Sequence, residues 1–145
     1  MKKYKVGYTT GVFDMFHIGH LNILKRAKEM CDYLIVGVST DELVKKAKNK
    51  TPIIPFEERM EIVAAIRYVD KVVPQENKDK LQAFEKYKFD VMFVGDDWKG
   101  SELFENCEKE LKKRGSCVVY FPYTKSTSST ILREKVLNYE NTTGK

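Results

Sequence analysis

Apolar and polar positions along this chain follow two alternating rhythms. Residues 33–38 (YLIVGV) and 90–95 (DVMFVG) are nearly continuous apolar runs, the character of strands buried on both faces of a parallel sheet. Residues 5–10, 69–74 and 117–122 are the other strand candidates. Between them the period lengthens to that of a helix. Over 18–31, Leu21, Leu24, Ala27 and Cys31 form an apolar stripe opposite Lys25, Lys28 and Glu29; over 56–67, Met60, Val63, Ala64 and Arg67 align similarly. Helices are also predicted over 78–87 and 101–114, the second closed by Gly115 as a C-cap. A last helix begins at Ser128 and Ser129, whose hydroxyls suit N-capping, and runs to about residue 138. Residues 45–55, a lysine cluster with two prolines, read as a mobile loop, and the final NYENTTGK as a fraying tail.

This order of strands and helices predicts an α/β sheet with right-handed crossovers. At 145 residues and 16.9 kDa there is room for one domain but not for two ordinary ones. Residues 1–140 are assigned to that domain and 141–145 to the tail. No apolar run approaches the roughly 20 residues of a membrane helix. The first residues also lack the apolar stretch of a signal peptide, so a cytoplasmic location without a membrane partner is expected. The net charge of +5 is a small excess, and only five of the 26 basic residues are arginines. With no alternation of aromatic and basic residues on a strand, a nucleic-acid partner is not expected. Cys31, Cys107 and Cys117 are odd in number and form no CxxC, which suggests neither zinc nor a disulfide framework. Cys31 and Cys117, in or beside apolar runs, read as buried packing thiols.

Candidate chemistry concentrates just after the first strand. The chain has two histidines, and they stand three apart in His17-Ile18-Gly19-His20. That spacing sets both imidazoles on one face of a first helical turn. Gly19 removes a side chain where a ligand must approach the backbone, and a helix N-terminus favours anions. The layout is a phosphate pocket at the C-terminal end of the first strand, where open α/β sheets bind ligands. A histidine pair also suits zinc, but no third ligand stands at a suggestive spacing, and no metal-ligating residue is assigned.

The stretch Gly11-Val12-Phe13-Asp14-Met15-Phe16-His17-Ile18-Gly19-His20 resembles the signature of the nucleotidyltransferase superfamily that contains the glycerol-3-phosphate, choline-phosphate and ethanolamine-phosphate cytidylyltransferases. Residues 32–42 look like that family's second strand and the turn after it. Arg67-Tyr68-Val69-Asp70 is similar to its third block and Gly95-Asp96-Asp97-Trp98-Lys99-Gly100 to its fourth, here most like the glycerol-3-phosphate enzymes. Residues 124–130 (TKSTSST) are similar to its closing Ser/Thr motif. The resemblance spans residues 5–135. It implies a Rossmann-like, doubly wound sheet of five parallel strands in the order 3-2-1-4-5, with helices on both faces, and a homodimer.

The activity it implies is transfer of a cytidylyl group from CTP to a small alcohol phosphate, above all sn-glycerol 3-phosphate, giving CDP-glycerol for teichoic-acid-like or capsular polymers. Cytidylyl or adenylyl transfer to another phosphorylated alcohol or sugar is the alternative, and a non-catalytic nucleotide-binding regulator is a third reading. His17, His20, Lys48 and Arg67 fall in the catalytic set. Thr10, Gly11, Val12, Phe13, Asp14, Gly19, Asp96, Thr124, Ser128, Ser129 and Thr130 fall in the nucleotide-binding set, and Lys46, Lys50, Arg59 and Trp98 in the substrate-binding set. Several of these carry a second reading. Asp14 either caps or orients the turn. Which of Lys46, Lys48 and Lys50 meets phosphate stays open, because the alignment across them needs a gap. Arg59 either meets substrate or pairs with nearby glutamates. Asp96 meets the ribose or a magnesium-bound phosphate, and Trp98 shapes the site or covers the core edge. Mg²⁺ is expected with CTP, held by phosphates and water. Three positions depart from the pattern: Val12 stands for a threonine, Tyr123 for an arginine and Ser126 for a glycine. Lys125, two positions beyond Tyr123, could restore the missing positive charge.

Overall fold

The computed structural model describes residues 3–95 and 102–122, together with residues 135 and 137. The chain runs through β1 (Tyr4–Gly11), α1 (Ile18–Met30), β2 (Cys31–Ser39), α2 (Asp41–Lys48), α3 (Phe56–Ala64), β3 (Lys71–Gln75), α4 (Lys80–Tyr87), β4 (Val91–Gly95), α5 (Glu102–Lys113) and β5 (Cys117–Phe121). The five strands form one all-parallel sheet in the order β3-β2-β1-β4-β5. This is the expected fold class and order.

Leu24 and Ala27 of α1 and Val63 of α3 pack on one face of the sheet, against Leu34, Val36, Val38, Val91 and Phe93. Phe84 of α4 and Phe104 and Leu111 of α5 pack on the other, with Tyr8, Ile35, Met92 and Val118. Successive residues of β2 and of β4 therefore enter opposite cores, which is why both strands read as unbroken apolar runs. The chain winds outward from β1 over one face to β2 and β3, then over the other face to β4 and β5. The C-terminal end of β1 is thus a topological switch point, where an open crevice forms between diverging connections.

Element boundaries differ from the sequence reading in informative places. The loop expected over 45–55 begins as the last turn of a helix. Thr40 Oγ1 accepts the Leu43 N–H at 3.1 Å to start α2, and Asn49, left-handed at φ 53°, ends it. Only Leu43 and Val44 of α2 are buried, too short a stripe to show a helical period. The helix over 56–67 stops at Ala64, which leaves Arg67 in the turn before β3. Gly115 takes a left-handed φ of 86° just after α5, as a C-cap should. Cys31 is fully buried as expected, whereas Cys117 is only partly so. The predicted helix over 128–138 and the tail lie outside the described residues.

Candidate active site

Between β1 and α1 the backbone makes an unusual turn. Phe13 (φ 56°) and Met15 (φ 49°) are both left-handed, a conformation that residues with side chains seldom adopt and that costs about 1 kcal/mol or more each. Contacts on either side enforce it. The Phe13 ring is buried against Phe16 and His20. Asp14, 3% exposed, accepts the Ile53 N–H at Oδ2 and the Ile54 N–H at Oδ1, each at 2.9 Å. The turn so held delivers His17 as the N-cap of α1.

The two histidines then form a capping box between themselves. His17 Nδ1 accepts the Gly19 N–H at 3.0 Å, and His20 Nδ1 accepts the His17 N–H at 3.2 Å. A nitrogen that accepts carries no proton, so the hydrogen-bond network assigns the proton of each neutral ring to Nε2. The rings stack with centroids 3.8 Å apart and planes 26° from parallel. Burial pushes the His20 imidazole down to about 4, helped by the neighbouring His17 and opposed by Asp14. Burial lowers His17 as well. Both rings are therefore neutral at pH 7 and present Nε2–H as a donor.

On the α4 side of the same sheet edge the structure adds a residue that the sequence reading missed. Lys80 Nζ donates to Thr10 Oγ1 at 3.0 Å, and burial pushes the amine down to about 8. Lys80 lines a cavity of about 420 Å³ with Tyr8, Gln75, Asn77, Asp79 and Tyr87. Gly37, paired with Thr10 across β1 and β2, leaves the room for this wall. A Cβ there would lie 2.9 Å from the Tyr8 hydroxyl and 3.0 Å from Thr10 Cγ2. A signal for Lys80 existed. It is the first residue of α4, capped by Asp79, and a cation at a helix N-terminus opposes the dipole, so its placement asks for another reason.

The expected site residues divide accordingly. Thr10, Gly11, Val12, Phe13, Gly19 and both histidines come together around the end of β1. Of the readings of Asp14, the geometry supports the orienting one, since the residue is buried with its carboxylate on the backbone of 53–54. Arg59 is corrected from substrate contact: it is 0% exposed, and its guanidinium donates to backbone carbonyls and to Asp41. The glutamate ion pair weighed for it is replaced by that aspartate. Arg67 is not brought to the histidines of its own chain. It is exposed beside the Tyr68 ring, in the turn that α3 delivers to the edge where strands begin. Lys46, Lys48 and Lys50 are exposed at the end of α2 and just beyond it. Asp96, Trp98, Thr124, Ser128, Ser129 and Thr130, like Tyr123 and Lys125, lie outside the described residues. Among the described residues no group of three or more His, Cys, Asp and Glu could hold a metal ion, so they offer Mg²⁺ no cage of their own.

Two neutral imidazole donors at a switch point are equipment for an enzyme that works on phosphate groups. The family model described as "Cytidylyltransferase-like" matches residues 8–135, and the chain belongs to that family of nucleotidyltransferases. It is 40% identical over 131 residues to the glycerol-3-phosphate cytidylyltransferase of Bacillus subtilis (strain 168), which covers 88% of this chain and 94% of that relative. It is 51% identical over 88 residues to the FAD synthase of Pyrococcus abyssi, 60% of each chain. Among solved structures, a lipopolysaccharide core biosynthesis protein from Thermoplasma volcanium GSS1 is similar at a TM-score of 0.69 and 27% identity, covering 86% of this chain and 99% of that one.

Proposed function

We propose that this chain transfers a cytidylyl group from CTP to a small alcohol phosphate, with sn-glycerol 3-phosphate favoured, and releases pyrophosphate. A phosphate oxygen of the acceptor attacks the α-phosphorus in line. The bond from that phosphorus to the oxygen bridging to the β-phosphate breaks, and pyrophosphate leaves with the electron pair. The attacking oxygen is already anionic, so no base and no covalent enzyme intermediate are required. The task of the protein is positioning and charge stabilisation. The observation that carries this reading is the histidine pair with both Nε2–H groups available. Donors aimed at phosphate oxygens as charge shifts toward pyrophosphate contribute about 10²–10³ each in rate.

Lys80, with Thr10 beside it, takes the acceptor phosphate in this scheme, and the adjoining cavity takes the alcohol. Lys46, Lys48 and Lys50 supply charge to the triphosphate. Mg²⁺ arrives on the nucleotide, whose charge it offsets, and is held by phosphate oxygens and water. A cytoplasmic homodimer is the assembly and location that accompany this reading. The identity to the glycerol-3-phosphate enzymes over most of both chains supports it.

The FAD synthase similarity favours a second reading, adenylyl transfer to a flavin phosphate. Pyrophosphate release, measured with CTP or ATP against glycerol 3-phosphate, choline phosphate, ethanolamine phosphate and flavin mononucleotide, separates the two. Turnover of CTP with glycerol 3-phosphate is expected. Turnover confined to ATP and the flavin would install the second reading, and release with no pair would refute both.

A further inference from the structure

We propose that Arg59 is a positioning residue whose single buried guanidinium holds both ends of the lysine-bearing segment 41–54 against the turn that carries the histidines. The proposal rests on the reading above, in which those lysines meet the triphosphate.

The geometry is specific. Nη1 donates to the carbonyl of Ser39, the last residue of β2, at 2.7 Å, and to that of Val12, in the turn after β1, at 2.8 Å. Nη2 pairs with Asp41 at the start of α2. Nε donates to the carbonyl of Ile54 at 2.9 Å. Ile54 is thus held through both its backbone groups, its N–H by Asp14 and its carbonyl by Arg59. The other carboxylate oxygen of Asp41 accepts the Phe56 N–H at 3.3 Å and ties down the chain just beyond Ile54. Lys46, Lys48 and Lys50 lie between these anchors and face solvent.

Only a rigid, branched cation can join these segments. The guanidinium fork sends its donors along fixed directions to four acceptors, whereas an ammonium is a point charge with three donors. A merely structural arginine would affect stability when replaced. A positioning arginine also sets where the lysines stand, so its loss and theirs must appear in the same kinetic quantity.

The test is a double-mutant cycle on CTP. Wild type, Arg59→Lys, a combined Lys46→Ala, Lys48→Ala and Lys50→Ala variant, and the sum of the two are compared. CTP KM is expected to rise at least about tenfold in Arg59→Lys, the effect of losing a charge-assisted hydrogen bond, with kcat falling less. The summed variant should be no worse than about the larger of its two parents, because both remove one grip on the same phosphates. An unchanged CTP KM in folded Arg59→Lys, or effects that multiply in the summed variant, overturns the proposal. Should Arg59→Lys not fold, Asp41→Asn loosens the same clamp from its partly exposed end and takes its place in the cycle, with the same two outcomes. Titration calorimetry with CTP runs the cycle on Kd as well. A wild type that binds CTP but releases no pyrophosphate would then defeat the transfer reading and still decide this proposal.

Discussion

His17 fixes the ring proton of His20 on Nε2 through its own backbone. The backbone N–H of His17 goes to Nδ1 of His20, and Nδ1 of His17 takes the N–H of Gly19. One arrangement therefore starts α1 and fixes both tautomers. The two roles can be pulled apart, because a helix start asks only for an oxygen or nitrogen acceptor, whereas charge stabilisation asks for Nε2–H.

His17→Ser should make that separation. Serine is a preferred N-cap, so the helix start survives and the melting temperature stays within a few degrees of wild type. The Nε2 donor is lost, and kcat should fall by about 10²-fold or more while CTP binding changes little. Turnover near wild type would mean that His17 is a cap and nothing else.

His20 gives a pH signature. Its folded-state value of about 4 lies below the unfolded reference of about 6.5, so the unfolded chain binds the proton more readily between them. The stability tied to neutral His20 is complete above pH 6.5 and is lost as pH falls toward 4. The loss is on the order of 3 kcal/mol, since one unit corresponds to about 1.4. His20→Gln removes the titration and still reaches back to the N-cap as a capping-box glutamine does. Denaturant unfolding from pH 7 to 4 should show a shallower loss in the variant. Equal slopes would place His20 in solvent.

Most of the fold was legible, because it rests on strands whose two faces are both buried. Leu34, Ile35 and Val36 leave no polar position to blur the period, so a parallel sheet with alternating helices followed directly. The histidine pair was legible because its three-residue spacing has one meaning on a helix. What the sequence hid were relationships closed by distant segments. Asp14 meets Ile53 and Ile54 some 40 positions away, at |i−j| of 39 and 40, and Arg59 reaches back 47 to Val12. Neither partner set has a local signature, so the sequence leaves a ligand contact and a structural role open for both side chains. α2 was missed because eight residues with two buried positions carry too little periodicity. The position of Arg67, in the turn before β3, is not legible either, because resemblance assigns a residue a role but not an edge of the sheet.

Gly37→Ala tests the cavity wall on the α4 face of the sheet. The new Cβ would press on the Tyr8 hydroxyl and on Thr10. Tyr8 cannot yield easily, since its ring is stacked on Phe89 at 4.9 Å and on Tyr87 at 5.5 Å between centroids. Thr10, at the end of β1, is the side that gives way, and Lys80 loses its partner. Overpacking of this kind costs about 1–3 kcal/mol. The KM for the acceptor should rise more than that for CTP. Equal rises in both would show that the crowding spreads through the site rather than stopping at Lys80.

Lys80 itself should separate the two substrates most cleanly. Replacing it with methionine keeps the length of the side chain, so α4 and the cavity wall remain. The lost ammonium–phosphate bond should raise the acceptor KM about tenfold or more and leave the CTP KM nearly unchanged. The amine also predicts a pH dependence. Burial brings it down to about 8, with Lys78 adding to the shift and Cys107 opposing it, so the free enzyme loses this charge as pH rises through 8. The acceptor phosphate, with a second ionisation near 6, is already dianionic across that range and does not contribute. kcat/KM for the acceptor should therefore decline from pH 7 to 9 in wild type, and Lys80→Met should be flat over the same interval. A decline that persists in the variant would assign the titration elsewhere. A rise in the CTP KM would instead place Lys80 against the triphosphate.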